Sequence, residues 1–156
     1  MADVLPMGHF YQFGYLSRDI DAASAALRDR FGITQVRRKR SSDWMETLHA
    51  WTGQTMVEVI VCGEGAPALY TDFPLPPAGD LVLHHLGRRI MDEETWAGME
   101  RVAAAKGLRT EMMGSVMNGQ LRYAYVDTRQ MLGLYTEYVM LSGDALRIYD
   151  DVPQNG

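Results

Sequence analysis

The feature that most constrains this chain is that it spells one structural unit twice. QFGYLSRDIDAAS, beginning at Gln12, and HLGRRIMDEETW, beginning at His85, align with Gln12 on His85, Gly14 on Gly87 and Asp19 on Asp92. The step from the first position to the aspartate is seven residues in both copies (19 − 12 and 92 − 85). Each copy then runs through an amphipathic stretch to a glycine, Gly32 or Gly107, and later to an apolar strand interrupted by one glutamate, Glu58 or Glu137. A repeated supersecondary unit of this kind cannot bury its hydrophobic surface alone and needs its second copy.

The periodicities define each copy as βαβββ. Phe10 to Leu16 is apolar or aromatic apart from Gln12 and predicts a buried strand, with Gln12, Gly14 and Leu16 on one face. Asp19 supplies helix-start chemistry, Ile20, Ala23, Leu27 and Phe31 form the expected buried stripe, and Gly32 stops the helix. Strands follow at Val36 to Arg40, Trp44 to Trp51 and Gln54 to Cys62, with a turn at Ser41 to Asp43. The glycine- and proline-rich stretch from Gly63 to Asp80 leads, through about one helical turn, into the second copy. There the strand Leu81 to Arg89 places His85, Gly87 and Arg89 on one face and His84 on the other. Asp92 caps a helix with Trp96, Met99 and Ala103 on its buried side and Val102 flanking, and strands follow at Leu108 to Met113, Leu121 to Val126 and Leu134 to Leu141. Asn118-Gly119 predicts a hairpin turn. The expected organisation is a first module over 8–64, a connecting segment over 65–80, a second module over 81–141, and a C-terminal helix and tail over 142–156. The fold class is α+β: two βαβββ modules forming a curved, partly closed mixed sheet with helices outside.

Composition narrows the function. A formal charge of −5 opposes a general nucleic-acid role, which requires a basic surface to displace phosphate counterions. The single cysteine, Cys62, can form no internal disulfide, which points to a reducing compartment. MADVLPMGHF lacks a charged segment followed by a long apolar core, and no apolar run reaches the length of a membrane span. A cytoplasmic protein without nucleic-acid or membrane partners is expected.

Gln12, Glu58, His85 and Glu137 occupy matching positions in the two copies, and strand parity allows all four to face one concave side. One such polar residue in a strand is ordinarily a satisfied packing group; four at corresponding places are not readily explained that way. Two buried carboxylates without a cation would repel, and one would stay protonated. A divalent ion removes the conflict, with the amide oxygen and imidazole completing its protein ligands. Mixed nitrogen and oxygen ligation suits Zn, Ni, Co, Mn or Fe(II). No nucleophile-elbow or phosphate-cradling glycine motif competes with this assignment.

The two βαβββ halves, the Q-x-G-x-x-x-x-D and H-x-G-x-x-x-x-D openings and the strands GQTMVEV and GLYTEYV resemble the vicinal oxygen chelate superfamily over nearly the whole chain. That superfamily includes glyoxalase I, methylmalonyl-CoA epimerase, extradiol dioxygenases and drug-sequestering resistance proteins. The ligand set is similar to that of some glyoxalases I, and the layout of EVIVCGEGAPALYTDF before LHHLG is similar to epimerase-like members. The resemblance implies one divalent metal ion held by Gln12, Glu58, His85 and Glu137. It also implies a small substrate that chelates through adjacent oxygens, and an isomerase, epimerase or lyase reaction through an enediolate-like intermediate. Glu137 would be the general base, with Glu58 as the alternative or a permanent ligand. Arg37, Arg38, Lys39, Arg40 and Arg89 are candidates for holding a substrate carboxylate or phosphate. A homodimer is implied as well. Gln12 departs from the usual first-position histidine, and His9 lies on the reversed face; an Fe(II) ring-cleaving dioxygenase, which needs two histidines and a carboxylate, is therefore the less favoured member. The runner-up function is metal-free binding of an aromatic ligand or drug, for which Tyr11, Tyr15, Tyr70, Tyr123, Tyr125, Tyr135 and Tyr138 are available.

Overall fold

A computed structural model describes residues 3–77 and 79–156. In chain order the elements are β1 (His9–Ser17), α1 (Ile20–Phe31), β2 (Arg37–Ser42), β3 (Met45–Thr52), β4 (Thr55–Cys62) and α2 (Ala68–Thr71). There follow β5 (Val82–Arg89), α3 (Glu93–Ala105), β6 (Thr110–Val116), β7 (Leu121–Val126), α4 (Arg129–Leu132) and β8 (Tyr135–Leu141). A 3₁₀ turn (Gly143–Arg147) and β9 (Gln154–Asn155) complete the chain. The fold class is α+β, and each copy of the repeat has the same strand order, β2-β3-β4-β1 and β5-β8-β7-β6. In each, the first and last strands pair parallel (β1 with β4, β5 with β8) and the other pairs are antiparallel.

Local chemistry accounts for the elements. Asp19 and Asp92 are both extended N-caps, accepting from Ala22 N at 2.8 Å and Thr95 N at 2.7 Å. The Thr95 amide, with the Thr95 hydroxyl, holds the Asp92 carboxyl below the ordinary carboxylate range. Gly32 ends α1 at φ 69°, a left-handed conformation open to glycine at little cost. Ile20, Ala23 and Leu27 of α1 pack on Leu48, Ala50, Val57 and Val59 of β3 and β4. Trp96, Met99 and Ala103 of α3 pack on Ala124, Val126, Tyr138 and Met140 of β7 and β8. Each helix thus covers one face of its own strands, and residues of the other parity stand on the uncovered face.

Several boundaries differ from the sequence-based expectation. Phe31 is 66% exposed; as the last helical residue it overhangs the core, and Ile33, beyond the Gly32 turn, is buried in its place. β2 continues to Ser42 through a bulge between Arg40 and Ser42, which confines the turn to Asp43 and Trp44. The strand expected from Leu108 starts at Thr110, because the Leu108 amide is spent on the helix exit, 2.9 Å from Ala103 O. The loop before β7 places Met117, Asn118 and Gly119 all at positive φ. The short α4 and β9 are additional elements. Among the described residues, no helix is long and apolar enough to cross a membrane.

The chain divides into two compact units that exchange their ends. One comprises Gln12–His84 with Asp150–Gly156; the other comprises the segment up to Tyr11 with His85–Tyr149. In the first, β9 pairs parallel with β3, and Asn155 Oδ1 accepts from the amides of Thr34 and Gln35 at 3.0 and 2.9 Å. In the second, Pro6 O accepts from the Tyr138 hydroxyl at 2.9 Å and Met7 O from Arg88 at 3.0 Å. Gly8 is required there: at φ 59°, an added Cβ would lie 2.8 Å from Arg89 O.

Candidate functional site

In the first unit, β1 and β4 run parallel with Gln12 opposite Met56 and Gly14 opposite Glu58. Paired strand residues project to the same side, so Gln12 and Glu58 stand on the face that α1 leaves uncovered. Gln12 is 1% exposed, and its side-chain oxygen has no hydrogen-bond partner among the described residues. Leaving such an acceptor unpaired costs about 1–3 kcal/mol, so the oxygen is suited to an added ligand. The adjoining Gly14 carries no side chain.

Glu58 is held from the next strand. His49 of β3 lies directly opposite it, with His49 Nε2 2.8 Å from Glu58 Oε2 and both side chains largely buried. Neither His49 nor this contact was among the expected site residues, although the sequence contained the signal. A two-residue Gly53-Gln54 loop pairs Thr52 with Thr55, and that register alone sets 49 against 58.

In the second unit the same register recurs. His85 is opposite Tyr135, and Gly87 is opposite Glu137, as Gly14 is opposite Glu58. His85 is fully buried; its Nε2 is 3.4 Å from Glu137 Oε2, and its ring meets the edge of Tyr125 at 5.1 Å between centroids. Its neighbour His84 belongs to the other face. It is equally buried, with Nε2 3.0 Å from Leu69 O and its ring packed on Tyr70 and Phe73. The two adjacent histidines therefore have opposite surroundings, as strand alternation requires.

By donor chemistry, Glu58 of the first unit and His85 and Glu137 of the second are each able to ligate a metal ion. The buried, unpartnered Gln12 oxygen of the first unit is also a donor of the kind that hard and borderline cations accept. The residues present therefore fit a divalent ion. Burial pushes the Cys62 thiol up to about 11, which keeps it protonated near neutrality and weak as a nucleophile.

The basic run on β2 is mostly engaged in ion pairs. Arg38 pairs with Asp21 and Glu46, and Arg40 with Glu46 and the Asp43 carbonyl. Arg37 bonds to Asp151 in the C-terminal tail, and its Nη2 lies 3.3 Å from His49 Nδ1. Lys39 is exposed, on the same strand face as Arg37. Arg89 shares the strand parity of His85 and is held by aromatic faces, with its guanidinium carbon 4.6 Å from the Tyr11 ring and 5.5 Å from that of Tyr149. The Arg89 Nε has no hydrogen-bond partner among the described residues.

No family model matches this sequence, and no curated protein matches it in sequence. The fold does match solved structures. Methylmalonyl-CoA epimerase from Mycobacterium tuberculosis superposes with a TM-score of 0.61 at 18% identity, covering 92% of this chain and 93% of that one. A Streptomyces coelicolor methylmalonyl-CoA epimerase variant in complex with 2-nitronate-propionyl-CoA gives 0.61 at 17% identity, covering 88% and 100%. A hypothetical protein from Bacillus halodurans C-125 gives 0.60 at 14% identity, covering 90% and 99%. The chain shares the fold of these structures, in keeping with the resemblance drawn from its sequence. At these identities the likeness establishes the fold.

Proposed function

We propose that Gln12, Glu58, His85 and Glu137 hold one divalent ion, and that the protein is a metal-dependent epimerase acting on a small carbon acid or its thioester. The observation that carries this reading is the repeated register. Each half sets a glutamate opposite a glycine and places a buried donor, Gln12 or His85, two residues before that glycine. The epimerase structures that share the fold favour epimerisation over the isomerase and lyase alternatives.

The bound ion would supply Lewis-acid polarisation of a substrate carbonyl, which acidifies the neighbouring C–H. Glu137 takes that proton on a carboxylate oxygen. Glu58, whose Oε2 is engaged by His49 Nε2 at 2.8 Å, remains a ligand. A solvent-derived proton returned to the opposite face of the carbon completes the inversion. Arg89 is the favoured partner for the substrate's anionic group, since its charge rests on tyrosine faces while Arg37 is engaged by Asp151. Metal-free binding of an aromatic ligand gains less support. Tyr70, Tyr125, Tyr135 and Tyr138 are buried as packing groups, and the Tyr138 hydroxyl is bonded to Pro6.

The test is wash-in of solvent deuterium at the α-carbon of methylmalonyl-CoA, followed by proton NMR with protein loaded in turn with Co(II), Mn(II), Ni(II) or Zn(II). Loss of the α-proton signal together with racemisation is expected. Retention of both proton and configuration with every ion bound would exclude this substrate class.

A further inference from the structure

The two halves of the site are not supported alike. Around Glu58 the structure shows a connected array: Asp151 accepts from Arg37 Nη1, Arg37 Nη2 lies 3.3 Å from His49 Nδ1, and His49 Nε2 lies 2.8 Å from Glu58 Oε2. Arg37 and His49 are directly opposed across β2 and β3, and His49 and Glu58 across β3 and β4, so strand register aligns three of the four groups. The fourth, Asp151, is brought by the tail, which β9 and Asn155 fasten to the same unit. In the second copy the residue opposite Glu137 is Tyr125, and the residue opposite Tyr125 is Met112. The repeat alone would therefore not produce this array.

We propose that Asp151, Arg37 and His49 position Glu58, by fixing which nitrogen of His49 carries its proton. A guanidinium is always a donor, so His49 Nδ1 facing Arg37 must accept. The neutral ring then carries its hydrogen on Nε2, where it donates to Glu58 Oε2. The carboxylate is thereby locked in one rotamer. Asp151 holds the guanidinium in place, and Arg37 in turn keeps the Asp151 carboxyl below its ordinary range. Arg37, expected from the sequence to be a substrate contact, is assigned here to positioning; His49 and Asp151 are new to the site. This inference rests on the metal-site reading above, and on the observation that ligating residues depend on the groups hydrogen-bonded to them.

The experiment has a metal-free arm and a metal-bound arm. In the metal-free full chain, long-range ¹H–¹⁵N correlation of the His49 ring should show Nε2 protonated and Nδ1 bare. Arg37→Met, which copies the second half of the repeat, should shift the ring toward a mixture of tautomers. In titrations with Co(II), followed by its visible spectrum, His49→Ala should weaken binding by roughly 10- to 100-fold. His49→Gln, whose amide can still donate to Glu58, should recover most of that loss; a role in packing alone would not predict recovery. If His49→Ala does not fold, wild type, His49→Gln and Arg37→Met carry the comparison, with Arg37→Met expected to bind Co(II) several-fold more weakly. Protonation on Nδ1 in the metal-free wild type would overturn the positioning array. So would wild-type Co(II) affinity in both His49→Ala and Arg37→Met, while leaving the metal site standing. Failure of the wild type to bind Co(II) at all would overturn the metal-site reading and this inference with it.

Discussion

Replacing Glu137 with glutamine is expected to slow α-proton exchange by about 10²- to 10⁴-fold, the usual contribution of a positioned general base. The amide keeps an oxygen donor on the same stem, so metal content should fall little while proton transfer is lost. Glu137 is assigned as the base because the Oε2 of its counterpart Glu58 lies 2.8 Å from His49 Nε2, whereas Glu137 Oε2 is 3.4 Å from His85 Nε2. Glu58→Gln should act differently: its amide also keeps an oxygen donor, so metal content should again fall little, while exchange by the metal-loaded variant should stay near that of the wild type. Full exchange activity in metal-loaded Glu137→Gln, with loss in metal-loaded Glu58→Gln, would reverse the two roles.

His84 and His85 form the second pair with large, opposite effects. His85→Ala should abolish metal retention and activity, because it removes the nitrogen donor of the proposed ligand set. His84→Ala should leave metal content near normal and destabilise the fold. Its ring is fully buried against Tyr70 and Phe73, and its Nε2 is the partner of the Leu69 carbonyl. Emptying that volume and stranding the carbonyl should cost roughly 2–4 kcal/mol, measured as a shift in the urea midpoint. Loss of metal in His84→Ala with retention in His85→Ala would mean the strand register is off by one and every side-chain direction in β5 is reversed.

Much of the architecture was legible because the repeat superimposes several independent signals. The capping aspartates, the glycine stops and the alternation around Gln12 and His85 all agree in both copies, and local and global preferences are consistent there. The opposition of Gly14 to Glu58 and Gly87 to Glu137 confirms the alignment at the level of strand pairing. What the sequence did not disclose depends on long-range docking. His49 becomes a site residue only through the register of β3 with β4. Arg37 acquires its carboxylate partner only because Asp151, 114 positions later, folds back onto it. β9 is two residues long and has no periodicity to read; its strand conformation comes from pairing with β3. Phe31 has the right spacing for the buried stripe, but the core ends one turn earlier and is closed by Ile33.

The central claim, one divalent ion on Gln12, Glu58, His85 and Glu137, is tested most directly by metal analysis of the purified full chain. The protein would be equilibrated with Zn(II), Ni(II), Co(II), Mn(II) or Fe(II) and then freed of unbound ion by gel filtration. About one equivalent per chain is expected for at least one of these metals, and Glu58→Ala and His85→Ala should each lose it while remaining folded by circular dichroism. A folded wild type that retains none of the five metals, or variants that bind the metal as the wild type does, would contradict it.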